Sequence, residues 1–191
     1  MQYVDWVQGL AIDEPVYMDA NIIVGSLISV HPLYSKCANI IGKLLADKVE
    51  ILVSMVSVDE SIWTMAKLAY CAIYNKPLKG KIHWNPGVYR NQHSKIFQSY
   101  GSWIGSVGKA VEDWTNAGAK IDVVPQTREL FKDVLALIPV YMKDVKLTPA
   151  DAVHLALAQK HARSFLTADS DFDEVRQNPP AGDLVVVKLT A

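Results

Sequence analysis

At 191 residues the chain has room for one domain with a sizeable buried core. Half of its residues are hydrophobic and no stretch is low in complexity or internally repeated, which excludes a disordered, fibrous or repeat protein. The net charge of −1 is small, but it is unevenly spread along the chain.

The opening residues, MQYVDWVQGLAIDEP, lack a basic start followed by an apolar run, so no secretory signal peptide is expected. VYM, Val16–Met18, reads as a short strand ended by Asp19, and Asn21 suits a cap or turn in the next element. The apolar stretches NIIVGSLISV and ILVSMVSV are too short to span a bilayer, which takes roughly 20 residues. LYSKCANIIGKLLADK has helical spacing, with Leu33, Cys37, Ile40, Ile41, Leu44 and Leu45 in one stripe. VEILVS reads as the second strand. SVDESIWTMAKLAYCAI predicts a helix with Ser57 as its cap and Glu60 three positions on, the pattern of a capping box. NKPLKG and NPG read as breaks, and SKIFQSYGSWIGSVGKAVEDWTNAG as helix despite its glycines. KIDVVP is the third strand, followed by a helix from the cap candidate Thr127 through TRELFKDVLALIPVYMKD. TPADAVHLALAQKHA has the clearest helix start, with Thr148 as cap, Pro149 first in the helix and Asp151 three after the cap. SFLTAD and DLVVVKL complete the set as the fourth and fifth strands. Cys37 and Cys71 have neither metal-ligand nor redox spacing and are expected to be reduced, buried thiols of a cytoplasmic protein.

Strands alternating with helices predict an α/β fold with a doubly wound parallel sheet, Rossmann-like in its three α/β/α layers. Ligands of such sheets gather at the carboxyl ends of the strands. Asp19 follows the first strand, and LTADSDFDEV places Asp169, Asp171 and Asp173 after the fourth. Glu60 and Asp151 sit at or near helix starts on the same rim. Each has a local explanation as a cap, a capping-box partner or a solvated turn residue. Together they would repel and raise one another's pKa unless a divalent cation compensated them. Hard oxygen ligands suit Mg²⁺ or Mn²⁺ that keeps waters and a substrate phosphate.

VYMDANIIV, SVDESIW, TPADAVHLALA and FLTADSDF, in that order, resemble the PIN-domain family, which includes VapC-like toxins and several RNA-processing nucleases. The resemblance implies a metal-dependent ribonuclease with Asp19, Glu60, Asp151 and Asp169 as its acidic set. It implies Asp19 and Asp151 as direct ligands of Mg²⁺ or Mn²⁺, Asp169 as holder of a second ion or of a metal-bound water, and Glu60 as the group that orients or deprotonates water. Asn21 and Thr167 match frequent polar neighbours of that set, and Asp171 shares the setting of Asp169. RNA is the implied partner. An antitoxin or other protein partner and a homodimer stay open, and no membrane partner is expected. The stretch between Glu60 and Asp151 is much longer than in compact VapC-like toxins.

That extra length carries the uneven charge. From Ser61 to Val111 there is no Asp or Glu, and Lys67, Lys76, Lys79, Lys81, Arg90, Lys95 and Lys109 make it +7, which leaves −8 for the rest. His83, His93, Trp84, Tyr89, Phe97, Tyr100 and Trp103 are interleaved with them. Residues 61–117 are therefore expected to be a basic, aromatic, mainly helical elaboration of a single PIN-like domain covering 1–191. Lys76, Lys79, Lys81, Trp84 and Arg90 are its candidate RNA contacts. A helical insert whose lysines face water and whose aromatics fill a local core, or a dimer surface, are the alternatives. His154, three after Asp151, is expected to pack and support Asp151, with metal ligation as the other reading. A phosphatase of the haloacid dehalogenase type needs a second Asp where Asn21 stands. A receiver domain needs a lysine after a late strand, and Lys188 reads as lying inside one. The remaining alternative is a non-catalytic PIN-like scaffold that binds RNA or protein.

Overall fold

The structure, a computed structural model, describes residues 1–77, 84–124 and 128–190. Six parallel strands form one sheet: β1 (Gln2–Asp5), β2 (Val16–Met18), β3 (Glu50–Val53), β4 (Lys120–Val123), β5 (Ser164–Thr167) and β6 (Val185–Lys188), in the order β1-β6-β5-β2-β3-β4. The helices are α1 (Ala20–Leu27), α2 (Tyr34–Ala46), α3 (Met55–Ile73), α4 (Pro86–Asn116), α5 (Arg128–Asp144), α6 (Pro149–His161) and α7 (Asp173–Gln177).

Side chains alternate across the central strands, and each face of the sheet buries its own core. Val16, Met18, Ile51, Leu166 and Val187 pack against α1, α2, α3 and the second half of α4. Tyr17, Leu52, Phe165 and Val186 pack against α5, α6 and Phe172 and Val175 of the last connection. β2 and β5 are buried on both faces, as is β6 apart from half-buried Val185, although Ser164, Thr167 and Lys188 interrupt the apolar runs of the last two.

The chain leaves β2 toward β3 on one side and comes back to β5 on the other. The strand order therefore switches between β2 and β5, and their carboxyl ends open onto the crevice where such sheets place ligands.

Three expectations are corrected. β1 was not anticipated: it is short and half-exposed, and it exists through its register with β6, Gln2 beside Val185 to Asp5 beside Lys188. The cap of α3 is Ser54, whose hydroxyl accepts from the Ser57 amide at 3.0 Å; Ser57 lies inside the helix and is buried. NPG does not break a helix but starts one, with Asn85 capping α4 through the Val88 amide and Pro86 in the first turn. α4 then kinks at Tyr100, whose φ/ψ leaves the helical region just before Gly101. Thr148 caps α6, as its sequence indicates. Thr127, Lys79 and Lys81 lie outside the described residues.

Candidate active site

Asp19 occupies the cap position of α1, yet its side chain caps nothing. Its amide donates to Leu166 O at 3.0 Å, which fastens the end of β2 to β5. Its carboxylate, 2 % exposed, accepts from Thr167 Oγ1 at 2.6 Å. Because a carboxylate only accepts, the Thr167 proton is committed to Asp19, and the hydroxyl oxygen in turn accepts from the Asp169 amide at 3.0 Å.

Asn21, in the first turn of α1, joins the two acidic strand ends. Its Nδ2 donates to Asp169 Oδ2 at 3.0 Å and, more weakly, to Asp19 Oδ2 at 3.4 Å. Asp169 Oδ1 accepts from the Asp171 amide at 3.0 Å, which caps a single 3-10 turn, Ser170–Phe172. The density of acids after β5 thus has a partly local cause. Buried Phe172 anchors the turn, and Asp171 and Asp173 face outward from it.

Glu60 stands in the second turn of α3, and its carboxylate does not reach back to a cap. Glu60 Oε2 lies 2.7 Å from His154 Nε2. His154, 1 % exposed, was expected to support Asp151; it supports Glu60 instead. Its Nδ1 is 2.9 Å from Tyr17 Oη, which is 2.7 Å from Ser54 Oγ, and the nearby Ser57 hydroxyl donates to Met18 O at 3.1 Å. This buried chain of polar groups fixes the imidazole ring plane and so the position of Glu60. One oxygen each of Asp19 and Glu60 and one His154 nitrogen lie within 4.8 Å of one another.

Asp151 sits three after the cap of α6 and bonds locally, its carboxylate to the Thr148 hydroxyl and its amide to the same oxygen at 3.4 Å. It also feels the acids of the strand ends. Burial raises its pKa above the usual carboxylate range, the Thr148 bond works against that, and the charges of Asp169, Asp171 and Asp19 add to it. Asp19 is raised mainly by burial; His154 and the Thr167 hydrogen bond oppose the shift, and Asp169 and Glu60 reinforce it. Burial alone would lower the pKa of His154, but its bond to Glu60 and the charges of Asp19, Glu60 and Asp151 hold it above the ordinary value. Mutually repelling carboxylates, one of them buried, supply the oxygen donors that suit a hard divalent cation, with His154 as the nitrogen donor within reach.

Two further residues lie near the rim, and of these Trp63 carried no signal in the sequence. Lys188 lies within a strand, as its sequence indicates, as the last residue of β6; it is 4 % exposed, with Nζ 3.8 Å from Asp173 Oδ1. Trp63 follows Glu60 by three positions on α3, on the same side of the helix. Trp63 is 37 % exposed, with its ring centroid 5.2 Å from that of Trp84 and 5.5 Å from that of Tyr89. Trp84 is half-buried and also meets Tyr70 at 5.5 Å. Trp84 and Tyr89 therefore brace a local aromatic cluster, and Trp63 is its exposed member nearest the acids. Lys76 and Arg90 are exposed, with Lys76 Nζ 5.0 Å from the centre of the Tyr70 ring.

A family model described as PIN domain matches residues 16–178, a span that takes in every acidic residue above. No curated protein matches the chain. Among the described residues no helix is long and apolar enough to cross a membrane.

Proposed function

The chain belongs to the PIN-domain family, and on that premise we propose that it is an endoribonuclease dependent on Mg²⁺ or Mn²⁺. Residues 1–191 would form a single PIN-like domain, with 61–117 as its elaboration. The observation that supports the reading is the approach of Asp19, Glu60 and His154 to within 4.8 Å of one another at the strand-order switch, with Asn21 joining Asp19 to Asp169.

Asp19, Asp151 and Asp169 would hold the cation. When bound, the divalent ion lowers the pKa of a water and neutralises charge developing on the phosphate. Glu60 orients the attacking water and accepts its proton, and the bond from His154 sets the direction of the accepting carboxylate. Thr167 and Asn21 hold the Asp19 and Asp169 carboxylates at fixed angles, so neither turns away to find solvent. Asp171, next along the same turn, supplements Asp169.

The site itself repels RNA, and the basic segment answers that repulsion with Lys76, Lys79, Lys81 and Arg90. Trp63, one helical turn from Glu60, offers an aromatic surface on which an unpaired base can stack, and Trp84 holds it in place. The substrate class is single-stranded RNA. Incubating the purified protein with labelled single-stranded RNA, with Mn²⁺ and then with chelator, tests the reading. Internal cleavage that chelator abolishes is expected. RNA bound but left intact under all metal conditions would favour the scaffold reading instead.

A further inference from the structure

We propose that Lys188 is the internal counter-cation of the acidic rim and limits it to a single divalent ion, an inference that rests on the metal-site reading above.

The placement follows from the sheet. Lys188 pairs in register with Thr167 of β5 on one side and with Asp5 of β1 on the other. Val186, two residues earlier, faces the same core as Phe165 and Tyr17, so by the alternation of the strands Lys188, Thr167 and Asp19 all project from one face. These three residues line up across the carboxyl ends of β6, β5 and β2. The hydroxyl of Thr167 is turned to Asp19, so the row runs cation, hydroxyl, carboxylate.

Burial decides what the ammonium can do. At 4 % exposure it cannot serve as a contact for a polyanion arriving from solvent. Its Nζ lies 3.8 Å from Asp173 Oδ1, and the same oxygen accepts from the Tyr3 hydroxyl. Burial lowers its pKa below the ordinary value, and the charges of Asp173, Asp169, Asp19 and Asp171 oppose that shift. A lysine stem packed into a sheet beside four carboxylates is a fixed positive charge on the β5–β6 side of the rim. His154 is the corresponding group on the Glu60 side. Between them, buried Asp19 and half-buried Asp151 and Asp169 share no ion pair with either among the described residues. One divalent ion held by these three offsets most of their charge, and a second, on the Asp171–Asp173 side, would meet the ammonium.

The test is a Mn²⁺ titration of the full-length protein, read by the electron paramagnetic resonance of free Mn²⁺ and by calorimetry. Wild type is expected to bind one ion per chain, Lys188→Met two, and Lys188→Arg one. Circular dichroism establishes that each variant is folded; methionine keeps the length and apolar character of the stem. Two ions on the wild-type protein would overturn the inference whatever the variants do. So would one ion of unchanged affinity on folded Lys188→Met, and both results leave the metal site standing. No Mn²⁺ on the wild-type protein would instead remove the metal reading, and the inference with it.

Discussion

His154 and Glu60 stand 94 positions apart in the chain and 2.7 Å apart in space, and the buried imidazole is what aims the carboxylate. Substituting His154 by Gln leaves a group that can donate to Glu60 but cannot also hold Tyr17 through a ring. A loss of about 10–100-fold in cleavage rate is expected, the usual cost of removing a partner that orients a functional group. Mn²⁺ stoichiometry should be unchanged. A full-rate His154→Gln enzyme would show that Glu60 is placed without it.

Asp19→Asn should abolish metal-dependent cleavage while making the metal-free protein more stable at neutral pH. Burial holds the Asp19 carboxyl above the usual carboxylate range, so folding favours its protonated form. The stability this contributes is fully present below the ordinary carboxylate pKa of about 3.9 and is lost as pH rises through the raised value. Asparagine mimics the neutral form and can still accept from Thr167. The melting-temperature advantage of Asp19→Asn should therefore be largest near pH 7 and vanish toward pH 4, at roughly 2–4 °C for each kcal/mol relieved. Mn²⁺ should then reverse the ranking, since only the wild type gains from binding. An advantage that grows on acidification would have the wrong sign for this account.

Asp151→Asn separates capping from chemistry. The Asp151 amide still bonds to Thr148, so the helix start is retained, and the melting temperature should change little. Mn²⁺-dependent cleavage should fall to background. Thr148→Ala is the converse, with about 1 kcal/mol of stability lost with the cap. Cleavage surviving in Asp151→Asn would leave Asp151 as a capping residue alone.

Most of the frame was legible because its elements carry strong local signals: apolar runs for β2, β3 and β5, and Thr148-Pro149 at the start of α6. The placement of the acids could be reasoned from one rule, that connections following parallel strands share a rim. What stayed hidden depends on pairing across the chain. β1 has no core pattern of its own and is specified by β6. Lys188 was legible as a strand residue, and its place beside Thr167 is visible only in the register of β6 with β5. His154 lies three after Asp151 on one helix, and only the fold shows that its nitrogens turn to Glu60 and Tyr17. Ser54 and Ser57 have equal claim to cap α3 by residue type, and the backbone decides for Ser54.

The aromatic cluster divides into two roles that mutation can part. Trp84 contacts three rings, so Trp84→Ala should lower stability by about 3 kcal/mol, in the range of a large aromatic removed from a packed site. Trp63 keeps an exposed surface beside Glu60, and Trp63→Ala should weaken binding of single-stranded RNA by about 1–3 kcal/mol, measured on the metal-free protein. Equal RNA affinity for Trp63→Ala and wild type would make the cluster purely structural.

The basic segment should announce itself in salt dependence. A polyanion approaching a rim of carboxylates needs positive charge nearby, and the segment supplies seven cations without an acid. Lys76 and Arg90 are exposed, Lys76 just after α3 and Arg90 in the second turn of α4, and neither forms an ion pair among the described residues. Each phosphate contact releases condensed counterions, so RNA affinity should fall steeply as salt rises. Replacing Lys76 and Arg90 together by alanine should flatten the slope of log affinity against log salt by roughly 1–2 units, and should weaken binding to all single-stranded sequences alike. Melting temperature should barely move, because the Lys76 ammonium over Tyr70 is solvent-exposed and such a contact contributes about 0.5–1 kcal/mol. An unchanged slope, together with a shift in oligomeric state on sedimentation, would identify this surface as a protein interface and leave the site without its electrostatic approach.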